Sequence, residues 1–215
     1  LKNFRQLGSK TPGHPEYGHT PGVEVTTGPL GQGFANAVGF AFASAYAAQL
    51  LNTPTAKVID HKVYCFCGDG DLEEGISYEA ASLAGHHALS NLVVVYDSNN
   101  ITIEGEATIA LSENIRGRFE SQGWAVLEID GHDYTQIENA FSEAVSGKSG
   151  KPTLIIAKTK IAKGSATMEG SHHTHGAPLG EDEIKVSKTA AGFDGESKFN
   201  IPEDVLIRFR CAKEK

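Results

Sequence analysis

The sequence of 215 residues has no cluster of lysine and arginine, and its net charge is −8. Proteins that bind nucleic acid through its phosphates usually present such a cluster, so no nucleic-acid partner is expected. A small anionic ligand is still compatible with this charge, because backbone amides, histidine and a divalent cation can hold phosphate groups locally.

Cysteine is scarce, and none of the three cysteines indicates a disulfide or a metal site. Cys65 and Cys67 are two residues apart on a predicted strand, so their side chains share one face and cannot easily bridge each other. Cys211 is isolated, and no second ligand pair stands at a recognisable spacing. We expect buried free thiols, which suit the reducing conditions of the cytoplasm.

An initiator methionine is also missing, and we expect no long apolar run. No stretch is predicted to reach the roughly 20 apolar residues of a membrane span, and no secretory signal is recognised, so no membrane partner is predicted. The chain begins at Leu1, and its one methionine is Met168. A glycine-rich loop precedes the first convincing strand, which favours a segment of a longer protein.

The order of predicted elements indicates an α/β fold with a mostly parallel sheet and helices on both faces. Short apolar runs without strict alternation are typical of strands covered on both faces. These runs occupy 62–67, 92–96, 124–129 and 153–157. The helical candidates are a mostly buried helix at 34–51 and further helices at 73–87, 112–122 and 134–146.

Two regions lie outside this alternation. Residues 8–33 are rich in Gly, Pro, Thr and His without a period, and they are predicted to form an ordered loop. The polar tail from about residue 181 is predicted to hold a short helix and a linker. We therefore expect one domain over residues 1–185, followed by a helix and linker over residues 186–215.

Polar residues follow two of the predicted strands. Gly68, Asp69 and Gly70 come after the first strand, and Asn99 with Asn100 follows the second. Ligands of parallel sheets bind at the carboxyl ends of strands. Carboxylate, amide and backbone carbonyl oxygens suit Mg²⁺, and glycines permit positive φ and a close approach to a diphosphate. The pattern predicts a magnesium–diphosphate clamp.

Each half of this clamp has a simpler interpretation. Gly-Asp-Gly and Asn-Asn are good turn formers, and either motif alone favours an ordinary turn. The two motifs stand thirty residues apart with a predicted helix between them. Their occurrence together favours the clamp over two unrelated turns.

These motifs and three others carry a resemblance to a known family. The others are residues 11–16 (TPGHPE), residues 22–33 (GVEVTTGPLGQG) and residues 171–179 (SHHTHGAPL). Their order and spacing resemble those of transketolases over about residues 4 to 185. The resemblance implies the thiamin diphosphate-binding fold, and an enzyme that transfers a two-carbon ketol unit from a ketose phosphate to an aldose phosphate. It also implies Mg²⁺ or Ca²⁺ and a homodimer with its active site at the subunit interface.

The resemblance assigns roles to individual residues of the clamp and of the glycine-rich loop. The metal would be held by Asp69, Asn99 and the carbonyl of Ile101. The residues implied to contact thiamin diphosphate are Gly28, Leu30, Gly68, Asp69, Gly70, Asn99, Ile101, Ile103 and His175. Among these, Ile101 and Ile103 would face the thiazolium ring. The backbone of Gly28 would meet the aminopyrimidine.

The resemblance also nominates two catalytic histidines and one interface carboxylate. His14 and His175 would lie near the reacting carbon and the sugar hydroxyls. Glu74 would join a carboxylate network across the dimer interface, although a favourable position at a helix N-terminus explains it equally well. His172 would line the same mouth, and His173 would point away if the segment is extended. A zinc site at this histidine run is disfavoured, since no carboxylate or thiolate stands at ligand spacing.

The chain departs from the family in what it does not contain. The glutamate that protonates the pyrimidine ring belongs to a second, pyrimidine-binding domain, and no residue here can be nominated for it. The chain alone is therefore expected to be inactive. Three alternatives stay open: a dihydroxyacetone synthase, the small subunit of a split transketolase, and a cofactor-binding module without turnover.

Overall fold

A computed structural model describes residues 2–211 and contains helices and strands in the predicted alternation. It divides into two compact units, Leu1–Lys160 and Ile161–Lys215, which are described separately. The division predicted at residue 185 stays a prediction. The first unit contains the sheet, and the helices of the second unit are given below.

A four-stranded parallel sheet organises the first unit, in the order β1-β2-β6-β5. Its strands are β1 (Val63–Gly68), β2 (Leu92–Ser98), β5 (Ala125–Asp130) and β6 (Thr153–Lys158). A two-stranded hairpin, β3 (Ile101–Thr102) and β4 (Gly105–Glu106), follows β2. The predicted mostly parallel sheet is confirmed, and the hairpin was not predicted.

The helices of the first unit cover both faces of the sheet, as predicted. They are α1 (Gln32–Leu51), α2 (Asp69–Glu73), α3 (Gly75–His86), α4 (Ile115–Ser121) and α5 (Tyr134–Ser146). Leu92, Val94 and Tyr96 of β2 pack in the core that includes residues of α1, α3 and α4. Val93 and Val95 pack in a second core with α5. Burial on both faces explains why β2 reads as a continuous apolar run.

Helix α1 differs from its prediction in two ways. Five of its twenty residues are buried, so it is not mostly buried. It is also long and apolar enough, by length and composition alone, to cross a membrane, so the expectation that no stretch reaches that length is wrong. Its buried residues, among them Phe34, Val38 and Ala41, join the core beside the sheet. Core helices of soluble proteins pass the same test.

Three other boundaries differ from the sequence prediction. The helix predicted at 73–87 is α3, which begins at Gly75 because Glu74 has extended backbone angles (φ −72°, ψ 137°), and the short helix α2 before it was not predicted. Helix α4 is shorter than its predicted range of 112–122. In the second unit the tail contains two helices, α6 (Glu181–Ala190) and α7 (Glu203–Cys211), rather than one.

The close packing of α3 against the segment before β5 gives a test of the fold. A Cβ added at Gly85 of α3 would overlap the backbone carbonyl oxygen of Gln122. We expect Gly85→Ala to lower the free energy of unfolding by about 2–3 kcal/mol, because a rigid backbone neighbour must move. Urea unfolding measures this change.

The matched control is Gly39→Ala in α1, where an added Cβ would meet no atom within 4 Å. Alanine in an exposed helix interior stabilises by about 0.5–1 kcal/mol relative to glycine. Equal stability of the two variants would contradict the packing described here.

Candidate functional site

The carboxyl ends of β1 and β2 bring the two halves of the predicted clamp to one edge of the sheet. Gly68 and Asp97 are register partners in the parallel ladder. Asp69 follows Gly68 directly, and Asn99 stands two residues beyond Asp97. Asp69 and Asn99 both line one cleft at this edge. The structure therefore brings the two side chains to one edge of the sheet, and their predicted role as metal ligands stays a prediction.

Asp69 is the buried carboxylate of this cleft, with 5% of its surface exposed. The Tyr96 hydroxyl donates to Asp69 Oδ1 at 2.6 Å. Asp69 Oδ2 is buried and has no hydrogen-bond partner within the described part of the chain. Burial raises the pKa of Asp69, against the lowering effect of Tyr96 and of the Asn100 backbone. A cation bound here would compensate the charge of this buried, unpartnered oxygen.

Asn99 is held in a local turn at the end of β2. Its Oδ1 accepts the Ile101 amide at 2.9 Å, and its Nδ2 donates to Asp97 Oδ2 at 3.1 Å. Asn100 has a positive φ of 61°, which asparagine tolerates better than most residues. This turn leads the backbone into the β3–β4 hairpin. Ile101 begins the hairpin, and the Ile103 side chain is 66% exposed.

The glycine-rich loop packs onto the residues that follow β1. A Cβ at Gly28 would lie 2.9 Å from Cγ of His14, so the imidazole ring lies against the Gly28 backbone. A Cβ at Gly70 would lie 3.2 Å from Cδ1 of Leu30. The contact between Leu30 and Gly70 brings the predicted cofactor loop to the predicted clamp.

One expectation about the clamp glycines is wrong. Neither Gly68 nor Gly70 adopts a positive φ: Gly68 is extended at −110°, and Gly70 lies within α2. At Gly70 the absence of a side chain matters because Leu30 approaches closely. At Gly68 an added Cβ would meet nothing within 4 Å, so that side of the backbone is open.

Sequence reasoning gave no role to two side chains that contact these residues. Tyr96 holds Asp69, as described above. Asp71 accepts the backbone amides of Gly31 and Gly68, both at 2.9 Å. Two features of the sequence could have indicated these roles. The Tyr96 hydroxyl stands near the end of a buried strand, where it needs a hydrogen-bond partner. Asp71 is the acidic third residue of α2, which is a capping position.

The predicted histidines fall in different units. His14 belongs to the first unit, whereas His172, His173 and His175 belong to the second. The segment is not extended as assumed, because His172–Thr174 forms a 3₁₀ helix with Ser171 as its cap. The rings of His172 and His173 lie 4.1 Å apart between centroids, so they do not point in opposite directions.

Glu183 of α6 fixes the segment that leads to these histidines. Its carboxylate accepts the Thr167 amide at 2.9 Å and hydroxyl at 2.8 Å, together with the Ser165 hydroxyl. The Ser165 hydroxyl, followed by the Thr167 amide, lowers the pKa of Glu183 to about 2. The carboxylate therefore orders residues 165–167 beside α6.

Within residues 2–211 no group of three or more His, Cys, Asp or Glu side chains is arranged to hold a metal ion. Such a group is not expected at the clamp, which contains one carboxylate beside an amide and a backbone carbonyl. Cys65 and Cys67 are buried free thiols, as predicted, and Cys211 is an exposed one.

Comparison with known proteins identifies the family. The family model described as "Transketolase, thiamine diphosphate binding domain" matches residues 1–215. The chain belongs to the transketolase family. Curated transketolases from Halalkalibacterium halodurans and Geobacillus stearothermophilus are 49% and 50% identical to it across the whole chain. The chain spans 32% of the length of each of these transketolases.

Solved transketolases also share the fold. The transketolase from Campylobacter jejuni superposes with a TM-score of 0.91 at 60% identity, over 97% of this chain and 32% of that one. The Leishmania mexicana transketolase gives a TM-score of 0.94 at 47% identity, over 98% and 31%. A Pichia stipitis transketolase in complex with sedoheptulose-7-phosphate gives 0.93 at 48% identity, over 97% and 31%.

The Tyr96 hydroxyl gives a first test of the clamp. Tyr96→Phe removes the donor to Asp69 Oδ1 and leaves that oxygen without its fixed partner. We expect the Mg²⁺ concentration for half-maximal thiamin diphosphate binding to rise about tenfold, as when other groups that orient metal ligands are removed. Calorimetric titration measures it. Tyr64→Phe, a half-exposed tyrosine on β1, is the control. An unchanged Mg²⁺ requirement in Tyr96→Phe would contradict the orienting role.

Glu183 gives a test by pH. Its pKa in the folded chain lies below the ordinary value of 4.5, so its stabilisation is present above that pH and is lost as the pH falls toward about 2. We expect Glu183→Gln to lower the hydrogen-exchange protection of residues 165–170 at neutral pH, with the difference shrinking below pH 4.5. Glu181→Gln, whose side chain is 88% exposed, is the control. A difference that does not depend on pH would contradict this assignment.

Proposed function

We propose that this chain forms the metal- and diphosphate-binding part of a transketolase, whose complete form transfers a two-carbon ketol unit from a ketose phosphate to an aldose phosphate. The observation that carries the proposal is the unpartnered, buried Oδ2 of Asp69 at the strand edge that also presents Asn99. Membership of the transketolase family supports it across the whole chain.

The donor set fits a hard divalent cation. Asp69 offers one charged oxygen, Asn99 an amide oxygen and Ile101 a backbone carbonyl. Mg²⁺ and Ca²⁺ both take oxygen ligands, and Mg²⁺ usually keeps phosphate oxygens and waters as well. We therefore assign these three residues to the metal, with room left in its coordination for a diphosphate beside the open backbone of Gly68.

Apolar side chains next to the clamp suit the aromatic part of the cofactor. Leu30 is 51% exposed and Ile103 is 66% exposed, although both are apolar. When bound, thiamin diphosphate would supply the nucleophilic carbon and the electron sink that carbon–carbon cleavage requires. Leu30, Ile101 and Ile103 would keep water from its ring, which strengthens electrostatic interactions there.

We assign the proton-handling work within this chain to His14 and His175. The His14 ring is fixed against the Gly28 backbone, so a cofactor that contacts Gly28 would have this imidazole beside it. Imidazole can donate to or accept from sugar hydroxyls at neutral pH. A Pichia stipitis relative was solved with sedoheptulose-7-phosphate, which supports sugar phosphates as substrates here.

The exposed face of α3 supports a homodimer. Ile76 and Leu83, which are seven residues apart and share one face of this helix, each expose 47% of their surface. Glu74 precedes α3 directly, which suits its proposed place in a carboxylate network across the interface. Buried free thiols at Cys65 and Cys67 support a cytoplasmic setting.

The chain spans about a third of the curated transketolases it matches, so we propose that a pyrimidine-binding domain and its glutamate come from elsewhere in the complete enzyme. The 215-residue chain alone is then inactive in two-carbon transfer. Donor-dependent transfer by the purified chain alone, followed by coupled assay of the aldose product, would refute this part of the proposal.

Asp69→Ala tests the clamp itself. We expect Mg²⁺-dependent binding of thiamin diphosphate to be lost in the complete protein, because the charged metal ligand is removed. Calorimetry with thiamin diphosphate at fixed Mg²⁺ measures this loss. The control is Asp60→Ala, since that side chain is 72% exposed. Retained native affinity in Asp69→Ala would refute the clamp, and failure of the native protein to bind would refute the function.

A further inference from the structure

We infer that Asp71 is a positioning residue that sets the cofactor loop against the metal-binding end of β1, a role that rests on the function proposed above. Its Oδ1 accepts the Gly31 amide, and its Oδ2 accepts the Gly68 amide, each at 2.9 Å. One carboxylate thus joins two backbone segments that lie 37 residues apart in sequence.

The two amides belong to different halves of the site. Gly68 directly precedes Asp69, the proposed metal ligand, and Gly31 directly follows Leu30, which is proposed to contact the cofactor. Because the Asp71 carboxylate accepts both amides, it fixes the distance between Leu30 and Asp69. One side chain therefore sets the position of the apolar residue relative to the proposed metal ligand.

Neighbouring contacts hold Asp71 and Gly31 in place. The buried Ser77 hydroxyl donates to the backbone carbonyl of Asp71 at 2.5 Å. Gly31 has a φ of 75°, and a Cβ there would lie 2.9 Å from Cβ of Glu74 and 2.8 Å from Cγ2 of Ile76. The loop therefore packs against the α2–α3 junction with no room for a side chain at residue 31. This packing holds in place the two hydrogen bonds that Asp71 accepts from Gly31 and Gly68.

Helix capping explains only half of this arrangement. Asp71 is the third residue of α2, and its bond to the Gly68 amide is one side of a capping box. The capping box involves only Oδ2 of Asp71. Its Oδ1 accepts the amide of Gly31, 40 residues upstream. The hydrogen bond to Gly31 therefore has a different role, which is to align the cofactor loop.

The charge of Asp71 sharpens the inference. A carboxylate two residues from the metal ligand disfavours an anionic ligand, because like charges repel. The same charge attracts the Mg²⁺ that accompanies a diphosphate, and both effects act on pyrophosphate as well as on thiamin diphosphate. A loss of affinity that is larger for thiamin diphosphate, and that also occurs in Asp71→Glu, would therefore come from geometry and not from charge.

The test compares two ligands in the complete protein. On the proposed function, thiamin diphosphate would contact both the loop and the residues that follow β1, whereas Mg²⁺–pyrophosphate would contact only the residues that follow β1. We expect Asp71→Asn and Asp71→Glu to raise the Kd of thiamin diphosphate at least about tenfold more than that of pyrophosphate, since Asn presents a donor to one amide and Glu is too long for both. Asp71→Glu keeps the charge and so isolates the geometry.

The matched control is Asp133→Asn, which replaces another carboxylate that accepts two backbone amides, those of Thr135 and Gln136, at the start of α5. Both Kd values should match the native ones in this control. Equal losses for both ligands in the Asp71 variants, or no loss for either, would overturn the positioning role.

A second measurement needs no ligand. Hydrogen exchange in the cofactor-free protein should be faster at residues 28–33 in Asp71→Asn than in the native chain, because the Gly31 amide loses its acceptor. Unchanged exchange there overturns the inference even if the protein binds thiamin diphosphate. Conversely, faster exchange in Asp71→Asn, together with a native protein that fails to bind the cofactor, would uphold the bridge and refute the proposed function alone.

Discussion

The parallel pairing of β1 with β2 is the constraint on which the site depends. It sets Gly68 opposite Asp97, so the residues that follow the two strands meet at one edge of the sheet. Burial of Val93, Val94 and their neighbours on both faces fixes this register, because a slip of one residue would turn each side chain to the other face. The placement of Asp69 beside Asn99 thus follows from core packing rather than from contacts within the cleft.

Much of this arrangement could be predicted from local patterns. Unbroken apolar runs identified β2 and β6 as strands buried on both faces, and the helix predicted at 134–146 is α5. The strand-end rule then located the edge at which Asp69 and Asn99 meet. These predictions succeeded because each depends on a short segment and on a periodicity that tertiary contacts do not change.

The errors occur where a local sequence pattern does not determine the structure. Helix α2 was not predicted because its five residues are too few to show a helical period, and Glu74, which follows it, has an extended backbone. Asp71 was assigned no role because its second partner, Gly31, is distant in sequence. The exposed side of α1 was expected to be buried, since composition shows that a helix is apolar but not how much of it a neighbour covers.

Strand β1 forms one end of the sheet in residues 2–211, and this position has a consequence for handling the chain in solution. Its outward Tyr64 and Phe66 are 47% and 74% exposed, and Phe40 and Tyr46 of α1 are 52% and 61% exposed. An apolar edge strand is a template for pairing with another chain, and charge repulsion from a net −8 opposes that pairing. Colloidal stability of the separated chain therefore depends on ionic strength, with high salt favouring self-association.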